Sequence, residues 1–120
     1  MAPGERFTIV LRETINPGWH TYWRNPGDSG EPTTLTWTLP AGWRAGEIQW
    51  PAPEAVPYAM LVNYGYEGEV LFPVEITVPA DARPGSSVTL SAAAYWLVCS
   101  DVCVPEDATL TLSVPVAAQG

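Results

Sequence analysis

The chain has 120 residues, which suits one domain that buries roughly two-thirds of its unfolded surface. Its 13 acidic residues stand against five arginines and no lysine, and the formal net charge is −8. This balance excludes a nucleic-acid backbone as a partner, because such binding depends on basic patches. No uncharged apolar run approaches the roughly 20 residues that a membrane helix needs.

Apolar and polar residues alternate with period two in several segments, as in half-buried strands. These segments are 7–11, 34–39, 70–78, 87–98 and 108–114. Turn chemistry with Pro, Gly and Asn separates them at 16–18, 25–30, 40–42 and 82–85. The pattern predicts an all-β fold, an immunoglobulin-like antiparallel β-sandwich formed by one domain with its core at about 7–115.

The two cysteines, Cys99 and Cys103, lie four residues apart near the C-terminal end. A disulfide requires Cα atoms within about 7 Å, whereas four steps of extended strand separate them by roughly 13 Å. A helix is also unsuitable, since its (i, i+4) Cβ atoms are about 5–6 Å apart. The spacing therefore predicts a tight hairpin, with strand 87–98 entering, residues 99–103 turning and strand 108–114 returning.

Spacing alone leaves three roles for this pair: a purely structural disulfide, a metal-binding pair or a redox-active disulfide. Closing a five-residue loop stabilises a fold by only about 2 kcal/mol. Because the bond adds so little stability, a chemically reactive pair is favoured over a purely structural one. Two thiolates are ligands for Cu(I) or half of a zinc site. His20 is the only histidine, so no complete metal site is predicted.

Several residues near the pair in sequence are candidates for lining the same site. Asp101 lies between the cysteines and Glu106 just beyond them. A carboxylate there would raise the pKa of a neighbouring thiol or take up a proton during exchange. Each of the two acids also suits a solvated loop without a role in chemistry. Tyr95 and Trp96 project to opposite faces of their strand, so one is expected in the core and the other beside the site. The segment 61–69 is either a tyrosine-bearing turn or a flap.

Five motifs in order carry a resemblance to a known family. They are PGWHTYWRNPGDSG, W-x-L-P at 37–40, WPAP at 50–53, NYGYEGEV at 63–70 and YWLVCSDVCVPE at 95–106. Together they resemble the N-terminal periplasmic domain of the DsbD family of thiol:disulfide interchange proteins, especially the branch that includes the copper-tolerance protein ScsB. The resemblance covers about residues 7 to 115.

This resemblance implies a periplasmic domain, excised from a longer membrane-embedded protein, that relays reducing equivalents without a cofactor. The expected donor is the C-terminal thioredoxin-like domain of the same protein. The expected acceptors are periplasmic proteins of thioredoxin fold, such as disulfide isomerases or cytochrome c maturation factors. Two alternatives stay open: a copper-handling domain, and an immunoglobulin-like interaction module whose disulfide is only structural.

The resemblance also implies roles for individual residues. Cys99 and Cys103 match the redox pair, with Cys103 forming the mixed disulfide and Cys99 resolving it. An aromatic cap loop is expected at Asn63, Tyr64, Gly65 and Tyr66, with either tyrosine as the shield. The best-known members carry a phenylalanine and acids just before the tyrosine-glycine, where this chain has Leu61, Val62 and Asn63. Their cysteines are spaced C-x5-C, whereas the spacing here is C-x3-C. His20 and Tyr22 match positions near the active site.

Overall fold

The computed structural model describes residues 2–58 and 60–117, and within them the secondary structure consists of strands. The strands are β1 (Arg6–Thr14), β2 (Thr21–Gly27), β3 (Thr34–Thr38), β4 (Arg44–Ala45), β5 (Glu54–Tyr58), β6 (Leu61–Tyr66), β7 (Glu69–Thr77), β8 (Ser87–Cys99) and β9 (Cys103–Pro115). No helix that could cross a membrane occurs in these described ranges. The prediction of an all-β fold is confirmed.

The five segments with period-two alternation correspond to β1, β3, β7, β8 and β9. The four strands from the Pro-rich and aromatic parts of the sequence, β2, β4, β5 and β6, were not predicted. Strand β2 extends to Gly27, into the segment expected to turn at 25–30, and the possible flap at 61–69 contains strand β6. Pairing with neighbouring strands overrides the weak local pattern of these segments.

The strands pair antiparallel in three sheets, with the orders β1-β7-β4, β2-β6-β5 and β3-β8-β9. A single bridge between His20 and Cys99 joins the second sheet to the third. The predicted turn at 16–18 delivers His20 to this bridge, since the Trp19 N–H donates to the Asn16 carbonyl at 3.0 Å. This connection places the aromatic segment that follows the turn beside the disulfide.

The core lies mainly along β7, where Phe72, Val74 and Ile76 are fully buried on one face. One apolar cluster around Val74 and Ile76 fills the end of the molecule distant from the cysteines. A second cluster combines Phe72 with Ile15, Tyr66 and Val70. Val98 packs on this second cluster, so it supports β8 one residue before Cys99.

Candidate functional site

The disulfide between Cys99 and Cys103 lies at the tip of the β8–β9 hairpin. A three-residue loop connects the two cysteines, and within it the Ser100 N–H donates to the Val102 carbonyl at 2.9 Å. The cysteine Cα atoms are 4.1 Å apart. The predicted hairpin is therefore confirmed.

The hydrogen bonds of Cys99 explain why its side chain reaches across to Cys103. Cys99 exchanges both backbone hydrogen bonds with His20, each at 2.9 Å, so its N–H and C=O point toward His20 and away from β9. Cys99 and Cys103 consequently form a non-hydrogen-bonded pair, in which antiparallel Cα atoms approach most closely. This register suits a short cross-strand disulfide.

The two cysteines differ strongly in burial. Cys99 is 0 % exposed, whereas Cys103 is exposed to solvent. Cys99 is enclosed because His20 pairs with it on one side and Cys103 on the other, while β9 pairs only with β8 among the described strands. Cys103 is therefore the solvent-accessible side of the disulfide.

His20 and Tyr22 form a buried polar pair beside Cys99. The His20 Nε2 and the Tyr22 hydroxyl are 3.1 Å apart, and their rings meet edge to face at 5.1 Å between centroids. Burial lowers the pKa of His20, and the charge of Glu67 opposes this shift only in part. The chain also folds tightly over Tyr22, because a side chain at Gly30 would overlap its ring.

An open cleft of about 540 Å³ adjoins the disulfide loop. Two of the predicted site residues, His20 and Asp101, line it. The other lining residues were not singled out individually from the sequence; they come from the preceding turn, β5, the residue after β6 and the loop itself: Gly18, Val56, Pro57, Glu67 and Ser100. The WPAP motif lies just before β5, but nothing in its local pattern predicts a wall beside the cysteines.

The four residues expected in a cap loop lie in strand β6. Asn63 is fully buried, and its Oδ1 accepts from the Ser29 N–H at 2.9 Å and the Ser29 hydroxyl at 3.1 Å. Tyr66 packs edge to face on Phe72, and its hydroxyl donates to the Pro51 carbonyl at 2.8 Å. Burial raises the pKa of Tyr66 to about 12. Of the two tyrosines, Tyr64 has the exposed side chain.

Trp96 and Glu106 lie on the opposite face of the hairpin from the disulfide. Each is three positions from its cysteine, and strand side chains alternate between faces. The two residues bond to each other, with Trp96 Nε1 donating to Glu106 Oε1 at 3.0 Å. By the same alternation it is Tyr95 that shares the disulfide face. The structure thus does not bring Trp96 and Glu106 to the face where the cysteines project.

Comparison with known proteins agrees with this geometry. The family model described as "Thiol:disulfide interchange protein DsbD, N-terminal" matches residues 1–115. The chain belongs to this family. A solved structure, the N-terminal periplasmic domain of ScsB from Proteus mirabilis, is 31% identical in sequence with a TM-score of 0.73. The match covers 93% of this chain and 43% of that chain. No curated protein sequence matches.

Membership of the DsbD family makes this chain a thiol:disulfide interchange domain in general terms. It also confirms the fold class, because the DsbD N-terminal domain is an immunoglobulin-like β-sandwich. Among residues 2–58 and 60–117, no group of three or more His, Cys, Asp or Glu side chains is arranged to hold a metal ion. Copper handling by the thiol pair alone stays a hypothesis.

A buried acid lies behind the hairpin of this DsbD-type domain. Glu13 lines a small cavity of about 160 Å³ together with Trp96 and Glu106. Its Oε2 accepts from the Thr33 hydroxyl at 3.1 Å, while its Oε1 has no hydrogen-bond partner of ordinary geometry among the described residues. Burial raises the pKa of Glu13, and the neighbouring Thr21 and Thr33 hydroxyls offset this only in part.

We expect Glu13→Gln to stabilise the domain at pH 7. An acid whose pKa is raised by folding destabilises the native state as pH increases from its unfolded pKa to its folded pKa, because the folded protein then holds the extra proton. The amide keeps the acceptor for Thr33 without the buried charge, so the gain is on the order of 1 kcal/mol at pH 7 and vanishes near pH 4. Urea denaturation at both pH values measures it.

The exposed Glu47→Gln serves as the matched control, with an expected effect within about 0.5 kcal/mol at either pH. The expectation for Glu13 is contradicted if the amide variant loses more stability at pH 7 than at pH 4. That result would mean that the ionised carboxylate is the better-solvated form in the folded domain.

Proposed function

We propose that this domain is an electron relay in the periplasm that works through the Cys99–Cys103 disulfide. It accepts reducing equivalents from a thioredoxin-like domain of its membrane-embedded parent protein. It passes them to periplasmic proteins of thioredoxin fold, such as disulfide isomerases or cytochrome c maturation factors. The observation that carries the proposal is a disulfide at a hairpin tip with one exposed and one buried cysteine.

Reduction of the domain begins at the exposed end of this bond. A donor thiolate attacks the Cys103 sulfur, the bond to Cys99 breaks, and the electron pair leaves on the Cys99 sulfur, which takes up a proton. The second cysteine of the donor then attacks the donor sulfur of the mixed disulfide. The donor leaves as a disulfide, and the domain has gained two electrons and two protons.

Delivery to an acceptor runs through the same steps in reverse. The Cys103 thiolate attacks the acceptor disulfide and forms a mixed disulfide. Cys99 then attacks the Cys103 sulfur, restores the internal disulfide and releases the reduced acceptor. The burial of Cys99 supports these separate roles for the two cysteines, because its thiol is inaccessible to partners and can react only with Cys103.

We place the docking site at the cleft beside the loop, with Asp101, His20 and Tyr22 as residues of the site. The shielding role stays with the β6 segment, where Tyr64 is the better candidate because Tyr66 is held in the core. A shield of this kind limits wasteful exchange in an oxidising compartment.

A redox titration tests the relay against an inert structural disulfide. We expect half-reduction between about −180 and −270 mV, the range of thioredoxin-like exchange proteins, whereas structural disulfides lie below about −300 mV. We also expect reduction to lower the free energy of unfolding by only about 2 kcal/mol, because the closed loop has five residues.

Glutathione and dithiothreitol buffers set the potential, thiol alkylation measures the reduced fraction, and urea denaturation compares the two forms. The double variant Cys99→Ala/Cys103→Ala is the control for the stability of the chain without the bond. A potential below the thioredoxin range together with a large loss of stability on reduction would reject the relay.

A further inference from the structure

Three side chains stand in a row on the face that carries the disulfide. His20 and Cys99 are a hydrogen-bonded antiparallel pair, and Cys99 and Cys103 are the adjacent non-hydrogen-bonded pair. Directly paired residues project from the same face with Cβ atoms about 4.5–5.5 Å apart. Cys99 is therefore flanked by its disulfide partner on one side and by the imidazole of His20 on the other.

Reduced Cys99 requires a base before it can act. Its side chain is 0 % exposed, and a thiol in such surroundings resists ionisation, whereas the thiolate is the nucleophile in exchange. Bulk water does not reach it readily. The base must come from inside the site.

We propose that His20 is the general base that removes the proton of Cys99 in the resolving step. The proposal rests on the relay function above and assigns a catalytic residue to it. His20 is 4 % exposed and lies directly across from Cys99. Tyr22 is a positioning residue, because its hydroxyl lies 3.1 Å from His20 Nε2 and holds the ring edge to face.

The resolving step couples proton transfer to disulfide exchange. The Cys99 S–H bond breaks and its proton passes to the imidazole, while the sulfur electron pair attacks Cys103 of the mixed disulfide. The Cys103–partner bond breaks, and the partner leaves as a thiolate with that bond's electron pair. The imidazolium then returns its proton to this thiolate or to water in the cleft. Two electrons have moved from the domain to the partner.

The charges around His20 suit this role. Burial lowers its pKa, so the ring is neutral and able to accept a proton near neutral pH. The titratable groups that face it are Tyr22 in β2, Cys99 on β8, Glu67 after β6 and Asp101 in the hairpin loop. The Glu67 carboxylate acts against the effect of burial and thereby stabilises the imidazolium once formed.

Reaction of the reduced domain with dithiobisnitrobenzoate separates the two thiol steps. Exposed Cys103 releases the first chromophore, and attack by Cys99 on that mixed disulfide releases the second. In His20→Gln we expect the second phase to slow by about 100-fold, the usual contribution of a general base, and the first phase to stay unchanged. In wild type the rate of the second phase should rise with pH and reach a plateau, with the inflection below pH 6.5.

The pH profile distinguishes catalysis from a structural effect. In His20→Gln the plateau should disappear, and the rate should keep rising with pH as the Cys99 thiol ionises. In Glu67→Gln the inflection should move to lower pH with the fold intact. Tyr22→Phe should slow the second phase alone and gives a readout if His20→Gln does not fold.

Equal second-phase rates and profiles in wild type and the folded His20 and Tyr22 variants would overturn the role of His20 and leave the relay standing. Absence of any second phase in wild type would instead count against the relay itself. Cys99→Ala is the control, since it should show the first phase only.

Discussion

Cys99→Ala should form a lasting mixed disulfide with a protein of thioredoxin fold, and Cys103→Ala should form it at least about 100-fold more slowly. The reason is the difference in burial, since Cys103 is exposed and Cys99 is fully enclosed. Access to Cys99 requires a local opening, and an opening that costs about 3 kcal/mol slows the reaction by about 100-fold.

The assay uses a thioredoxin-fold partner with a single active-site cysteine, activated as a nitrothiobenzoate mixed disulfide. Release of the chromophore gives the rate, and a non-reducing gel identifies the covalent complex. Unfolding both variants in urea should make their rates alike, which shows that the difference arises from the fold. Equal rates in the native state would contradict the assignment of Cys103 as the residue that meets partners.

Gly65→Ala should destabilise the domain by about 3 kcal/mol or more, at the upper end of overpacking effects. Gly65 lies in β6 where β2 crosses closest, and an added Cβ would overlap the Thr21 carbonyl oxygen and lie 3.1 Å from the Tyr22 Cα. These atoms are backbone and cannot rotate away, so β2 must separate from β6. Because β2 follows directly on His20, exchange at Cys99 should also change.

Urea denaturation measures this loss, and Gly46→Ala is the matched control. At Gly46 the nearest atom to an added Cβ is the Glu75 carbonyl oxygen at 3.5 Å, an ordinary contact. The control should be neutral or slightly stabilising, by up to about 1 kcal/mol, because alanine restricts the unfolded chain. If the Gly65 and Gly46 variants were equally stable, the close approach of β2 and β6 would be wrong.

The prediction from sequence was strongest where local chemistry decides structure. Segment 108–114 alternates apolar and polar residues throughout, and 87–98 does so over its first half, so both are predicted as strands from local pattern alone. The strands β5 and β6 lack that pattern, since prolines and glycine interrupt it, and they become strands because they pair with each other and with β2. The wall that β5 and Glu67 form beside the disulfide loop therefore depends on contacts between segments distant in sequence.

The candidate site, too, could be predicted only where local chemistry decides the structure. The hairpin at Cys99 and Cys103 could be predicted, because the length of a disulfide excludes both a strand and a helix at this spacing. Trp96 and Glu106 were grouped with the cysteines by nearness in sequence, although alternation places them on the other face. Nothing in the local sequence indicated that Glu13 lines a cavity together with Trp96 and Glu106 at the back of this hairpin.

By itself, the sequence determined an all-β chain of the DsbD type with a redox-capable cysteine pair in a tight turn. Only the tertiary structure decided which cysteine is enclosed and which side chain stands beside it. The two cysteines lie only four residues apart, so their difference in burial arises from their neighbours in space: Cys99 has a paired residue on each side, whereas Cys103 lies on a strand that pairs on one side only among the described strands. Burial is a property of such non-local pairing, and no pattern within five residues encodes it.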